Sequence, residues 1–203
     1  MISINPETKT ERENYKLLIG SIIPRPIAFI TSLSKTNTIN GAPFSYFNVV
    51  TADPPLISVS IQRKNNKQKD TAHNILKNKE FVVHIVDKGN VKQINETAAQ
   101  LPPHQSEIDL ACLTLVGSNK VTTPGIKEAK IRYECVLEHH IELGGREDSP
   151  STDLFVGKIV QYHIDESVYE DGKINTNELG AISRLAGYTY AEIGNTFDIE
   201  RPK

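Results

Sequence analysis

The stretch Ile131-Arg132-Tyr133-Glu134-Cys135-Val136-Leu137-Glu138-His139-His140-Ile141-Glu142 decides the fold class. Extended, it carries Ile131, Tyr133, Cys135, Leu137, His139 and Ile141 on one face. The other face carries Arg132, Glu134, Val136, Glu138, His140 and Glu142. A period of two with one apolar face predicts a half-buried antiparallel strand. The pattern returns in Leu154, Val156, Val160, Tyr162 and Ile164, interrupted by Lys158, and predicts a second strand with these residues as its apolar face.

Outward from this pair, the strand signal dominates. Residues 27–33, 44–50, 56–61 and 81–86 are short β-prone runs bounded by proline, asparagine or charged residues. Helical signals are fewer. Asp70-Thr71 precedes Ala72, Ile75 and Leu76 at helical spacing, with Asp70 suited to the N-cap. Val91 to Gln100 predicts a second helix, stopped by Pro102-Pro103, and Ser183 to Ala186 a short turn or helix. Strands and helices do not alternate regularly, which excludes a doubly wound nucleotide fold. The expectation is a mainly β protein: an antiparallel barrel with a few peripheral helices, forming one domain over residues 1–203.

Composition narrows the class. Hydrophobic residues make up 38% and charged residues 24%, which excludes a disordered or collagen-like chain. The formal charge of −2 provides no global field for nucleic acid. No run of 18 apolar residues exists to span a membrane as a helix. Met1 to Glu7 lacks a basic segment followed by an apolar one, so a cytoplasmic protein is expected. Cys112 and Cys135 make no disulfide framework and no C-x-x-C. His139 and His140 point to opposite faces of a strand, and no metal site is expected. P-loop, G-x-G-x-x-G, H-E-x-x-H and G-x-S-x-G motifs are all absent.

Four segments offer binding chemistry. In residues 24–32, two prolines lead into a strand that ends in the hydroxyls of Thr31 and Ser32, a rim for a planar polar ligand or simply an edge strand. In residues 40–48, Gly41 and Pro43 read as turn chemistry, followed by Ser45, Phe47 and Asn48. Ser58-Val59-Ser60-Ile61 leads into Arg63 to Lys69, where four of seven residues are basic. That run is a solvated loop or, because Lys69 precedes a helix start at Asp70-Thr71, a site for one phosphate. In residues 182–188, Arg184 offers a phosphate fork and Tyr188 a stacking ring.

Together these segments resemble the flavin reductase-like family with an FMN-binding split barrel. The resemblance runs from about residue 15 to 202. It rests on P-R-P-I-A at 24–28, A-P-F-S-Y-F-N at 42–48, D-P-P-L at 53–56 and K-D-T-A-H-N-I at 69–75. It continues through E-F-V-V at 80–83, E-L-G-G at 142–145, D-G-K-I at 171–174 and R-L-A-G-Y at 184–188. The branch it most resembles includes the reductase component of nitrilotriacetate monooxygenase. The resemblance implies a homodimer with one FMN per subunit near the interface. It implies that Thr31 and Ser32 bond the isoalloxazine or ribityl chain, and that Ser45, Phe47 and Asn48 line the flavin. Ser60, Arg63, Lys69, Asp70 and Thr71 would surround the phosphate, with Arg184 and Tyr188 closing the site. Two departures from the family pattern are Thr31-Ser32 in place of Ser-Thr and Ala186-Gly187 in place of a glycine pair. The implied activity is hydride transfer from NAD(P)H to FMN, the reduced flavin serving a monooxygenase or other acceptor. A flavoprotein that only transfers electrons, and a cofactor-free barrel that binds partners, stand as alternatives.

Overall fold

The computed structural model describes residues 1–99, 106–145 and 149–202. In chain order the elements are α1 (Glu11–Ser21), β1 (Arg25–Pro26), β2 (Ala28–Leu33), β3 (Ile39–Phe44), β4 (Phe47–Ala52), β5 (Pro55–Gln62), α2 (Asp70–Asn78), β6 (Glu80–Ile85) and α3 (Val91–Glu96). They continue with α4 (Glu107–Leu110), β7 (Leu115–Val116), β8 (Gly125–Ile126), β9 (Ile131–Leu143), β10 (Thr152–Ile164), β11 (Tyr169–Glu170), β12 (Lys173–Ile174), α5 (Thr176–Leu179), β13 (Ile182–Arg184) and β14 (Tyr190–Glu192).

Seven strands form one antiparallel sheet in the order β3-β2-β6-β9-β10-β5-β4. Its two outermost strands, β3 and β4, are consecutive in sequence, with only Ser45 and Tyr46 between them. From Phe44 to Phe47 the chain reaches at most roughly 11 Å. A flat sheet would hold the same strands roughly 29 Å apart, at about 4.8 Å per spacing. The sheet therefore curls until its edges meet. No ladder joins β3 to β4 among the described residues, so the barrel is split along that seam. Pro43, which has no N–H to give, sits on the edge strand where this costs nothing. The segment at 40–43, expected as a turn, is thus strand: a Cβ on Gly41 would lie 2.6 Å from the Ile108 side chain and 2.7 Å from Phe29, so glycine there permits close packing.

The barrel is filled by Ala28, Ile30, Val59, Ile61, Phe81, Val83, Cys135, Phe155 and Ile159, joined by Ala72 and Ile75 of α2. A second cluster, with Ile27, Phe29, Val86, Ile94, Ile108 and Ile126, covers the other face of β2. A strand covered on both sides reads as the unbroken apolar run seen at 27–30.

The long hairpin of β9 and β10 forms as expected, but its phase differs. On β10 the buried series is Asp153, Phe155, Gly157 and Ile159, while Leu154, Val156 and Lys158 are half-buried on the outer face. Lys158, the apparent exception, was in phase with an outward face. Gly157 leaves room for Phe81, whose Cζ would lie 2.5 Å from an added Cβ. On β9, Leu137 pairs with Gly157 and His139 with Val156, so Glu138 is an extra, bulged residue. The bulge turns His140 inward to stack on Phe155 at 5.0 Å and leaves Ile141 46% exposed.

Two helical expectations change, and one helix is added. Lys69, not Asp70, is the N-cap of α2. Residues 182–184 are strand β13, and the turn follows them. Helix α1 carries no strong apolar stripe, but it opens on a capping box, Thr10 with Glu13, which the sequence displays. The end expected for the second helix, at Gln100 to Pro103, lies outside the described residues; α3 itself spans Val91–Glu96.

Candidate functional site

The seam between β3 and β4 opens into a trough with two adjoining compartments. The larger, about 610 Å³, is walled by Tyr15 and Ile19 of α1, Arg25 and Ile27, the β3–β4 corner from Pro43 to Tyr46, Ser60 and Gln62 of β5, residues 95–99, and the β13–β14 hairpin with Arg184, Tyr188 and Tyr190. The smaller, about 510 Å³, is walled by Asn40, Ala42, the basic loop Lys64–Lys69, Asp70, Thr71 and Glu107. Pro43, Phe44, Lys69, Ala98 and Ala99 border both.

At the smaller end, α2 begins without a side-chain cap. Its first N–H groups have no partner within the helix, and the positive end of its dipole meets the trough. Lys69 stands there with its ammonium 5.6 Å from the centre of the Phe44 ring. Desolvation, then repulsion from Lys64, lowers its pKa. Beneath this end runs a polar chain. The Thr71 hydroxyl donates to Asn40 Oδ1 at 2.7 Å, Ser32 Oγ donates to the same oxygen at 3.3 Å, and Asn74 donates to Ser32 at 3.2 Å.

At the larger end the walls are aromatic and polar together. Burial raises the Tyr46 pKa, Tyr15 adds to the rise, and the positive charge of Arg25 opposes it. The Arg184 guanidinium lies 4.4 Å over the Tyr190 ring and donates to the Gly187 carbonyl at 2.6 Å. Tyr190 in turn donates to Asn95 at 2.8 Å. Tyr188, at the turn beside Gly187, is 97% exposed and projects from the wall.

Of the residues expected from sequence, Ser45, Ser60, Lys69, Asp70, Thr71, Arg184 and Tyr188 thus come together along one trough. Five lie elsewhere. Thr31 is buried, its hydroxyl donating to Pro124 at 2.7 Å. Ser32 lies behind Asn40. Phe47 packs against the barrel core. Asn48 is exposed and accepts from the Val49 N–H. Arg63 turns away to Asp153 and Glu142. The trough adds residues that the sequence reading passed over, chiefly Arg25, Asn40, Phe44, Tyr46 and Gln62. Arg25 had a signal: it is the only charge in the run from Ile22 to Ile30.

His140, Glu142 and Asp153 bring three potential ligand atoms within 4.8 Å of one another. Those atoms already serve Arg63, which donates to Glu142 and, at 2.7 and 2.8 Å, to both Asp153 oxygens; Gln68 adds a bond at 2.9 Å and His140 one at 2.8 Å. A guanidinium already supplies the cation here. Cys112 and Cys135 are both free thiols. No helix of the described residues is long and apolar enough to cross a membrane.

The chain is similar to nitrilotriacetate monooxygenase component B from Bacillus cereus, with 57% identity and a TM-score of 0.97 over 98% of both chains. It resembles more distantly the 2-nitrobenzoate 2-nitroreductase of Pseudomonas fluorescens, with 27% identity and a TM-score of 0.88 over 99% of this chain and 96% of that one. An uncharacterized protein of Bacillus subtilis is 50% identical over 193 residues, 94% of each chain. The family model for the flavin reductase like domain matches residues 19–179, which take in the split barrel and most of the trough's walls. The chain belongs to the flavin reductase like domain family.

Proposed function

We propose that the chain is an NAD(P)H-dependent FMN reductase that passes reduced flavin, or its electrons, to a monooxygenase or another acceptor. The observation that carries this reading is the trough itself: an uncapped helix N-terminus beside Lys69 at one end, continuous with a wide aromatic and polar compartment at the other. Such a helix end suits one phosphomonoester, which favours FMN. Bound FMN supplies a ring that accepts hydride.

The chain's own residues then have distinct tasks. The first N–H groups of α2 and the Lys69 ammonium hold the phosphate. Asn40 engages the Thr71 hydroxyl and passes the contact back to Ser32, so Ser32 acts from behind the wall. Arg63 and Gln68, both tied to Asp153, brace the basic loop that ends at Lys69. The corner from Pro43 to Tyr46 and the side chain of Ser60 border the ring, and the Arg184–Tyr190 pair stiffens the hairpin that carries Tyr188.

A homodimer forms part of the proposal. On the outer face of the barrel, Ile141, Leu154 and Ser60 lie side by side across three strands, next to the row His139, Val156, Ser58 and Asn48. This partly exposed face, with Ile141, Leu154 and Val156 among serines, a histidine and an asparagine, runs directly into the trough at Ser60. A second copy set against it would bury Ile141, Leu154 and Val156 and wall the trough's open side.

The assay follows oxidation of NADH and of NADPH with added FMN. Turnover with at least one is expected, and none with either removes the reductase reading. Tight FMN binding with fast exchange to a redox partner but no NAD(P)H oxidation would instead identify an electron carrier. Light scattering at micromolar concentration should give the mass of a dimer.

A further inference from the structure

We propose that Arg25, in the wall of the larger compartment, makes the trough favour the reduced form of its flavin over the oxidised form. The inference rests on the reading of the trough as an FMN site and concerns a residue that this reading does not use.

Arg25 is 6% exposed. Its Nη1 donates to the carbonyls of Ile19 at 2.8 Å and Ile22 at 2.6 Å, and its Nη2 to that of Leu185 at 2.8 Å. Its buried Nε has no partner, and no carboxylate pairs with it among the described residues. Three carbonyls fix the guanidinium, but they are neutral. The C-terminal end of α1 offsets only part of a full unit of charge. A whole positive charge therefore remains within the compartment wall, where low dielectric strengthens its effect. Tyr46 lines the same wall, and there the charge of Arg25 opposes the rise in pKa that burial and Tyr15 bring about.

A hydride brings two electrons and one proton. The nicotinamide that gives it leaves as NAD(P)+, and the accepting ring becomes more negative by one unit until water supplies a second proton. A fixed cation with no counter-ion stabilises that added charge and does little for a neutral ring. The three carbonyls hold it still, so no reorganisation is needed when the charge arrives.

The test compares the chain with Arg25→Gln, which keeps hydrogen-bond donors but loses the charge, and Arg25→Lys, which keeps the charge but loses most of the donors. Dissociation constants are measured for oxidised FMN and, without oxygen, for reduced FMN. In Arg25→Gln the preference for the reduced form should fall about tenfold, equal to a midpoint potential about 30 mV lower for this two-electron couple. In Arg25→Lys the preference should hold within about twofold, although melting occurs at a lower temperature. An unchanged preference in Arg25→Gln, or equal losses in both variants, overturns the inference. Should Arg25→Gln not fold, the unaltered chain decides, since equal affinities for the two forms of FMN also overturn it. Failure to bind FMN in either form would be a different result, removing the flavin reading itself.

Discussion

Asp153 and Arg25 are both charged and both buried, yet their surroundings differ. Asp153 is fully buried on the inner face of β10 and meets Arg63, Gln68 and His140, with Glu142 completing the cluster. Arg25 lies in the trough wall with three carbonyls and, among the described residues, no acid. At Asp153 the charges and hydrogen bonds close on one another, as a barrel wall requires. At Arg25 they do not, and among the described residues Lys69 across the trough has no ion pair either. A fold that neutralises charge in its wall but leaves these two cations without an acid among the described residues fits the proposed anionic ligand at the seam.

The comparison breaks most directly at Asp153. In Asp153→Asn, Arg63 loses its buried counter-charge and keeps only that of Glu142, and one of the two accepting oxygens shared by Arg63, His140 and Gln68 becomes a donor. Stability should fall by about 3 kcal/mol, near the low end for removing one partner of a buried pair because Glu142 remains. Urea unfolding measures this, and a loss below about 1 kcal/mol would mean that the cluster is not a closed unit. Acid should do the same to the unaltered protein. Burial raises the Asp153 pKa, but hydrogen bonds from Arg63, His140 and Gln68 outweigh it and hold the group below its ordinary value. Bonds from the Asn119 N–H and His163 do likewise for Glu134. A depressed pKa gives stability that is complete above the unfolded value, near pH 4, and lost as pH falls through the folded one. Stability should therefore decline below about pH 4, less steeply in Asp153→Asn, and a flat profile would contradict the assignment.

The two regions also differed in how far the sequence revealed them. The strands of the barrel wall were legible because alternation, β-branching and flanking prolines repeat at each one. The phase of β10 was not, since Leu154 and Val156 are more apolar than Asp153 and Gly157, and only tertiary facts reverse the order: a buried carboxylate with four polar neighbours, and a glycine facing Phe81. The bulge at Glu138 left no local mark. In the trough, Lys69, Asp70 and Thr71 were legible through a helix start, and Ser45 and Ser60 through position beside turns and strand ends. Thr31 was misleading because a hydroxyl at a strand end bonds to whatever lies beside it, here the Pro124 carbonyl. Tyr46 and Asn40 were missed because their role comes from two strand ends meeting at the seam, a long-range closure that no local window contains.

The next sharpest break is at Lys69. Replacing it with alanine removes the cation at the α2 end of the trough and its contact over the Phe44 ring, but leaves the core packing itself in place. FMN should bind more weakly by about 1–3 kcal/mol, the range for one charge-assisted hydrogen bond. Stability in urea should change by no more than about 0.5 kcal/mol, as for an exposed substitution. Calorimetric titration with FMN reads the first quantity. Unchanged affinity would take Lys69 out of the site and leave the trough with less reason to hold a phosphate.

The finest distinction lies within the Arg63 cluster. Arg63 bonds two carboxylates, and they differ mainly in burial: Asp153 has none of its side chain exposed and Glu142 has 52%. Water already screens Glu142, so Glu142→Gln removes a charge that contributes little. The amide oxygen can still accept from Arg63, and Asp153 still neutralises it. The expected loss is between about 0 and 1 kcal/mol, the range for an exposed ion pair, and it should shrink further as salt is added. If Glu142→Gln cost as much as Asp153→Asn, burial would not be what separates the two acids. The contrast between a closed charge cluster in the wall and an open one at the seam would then lose its physical basis.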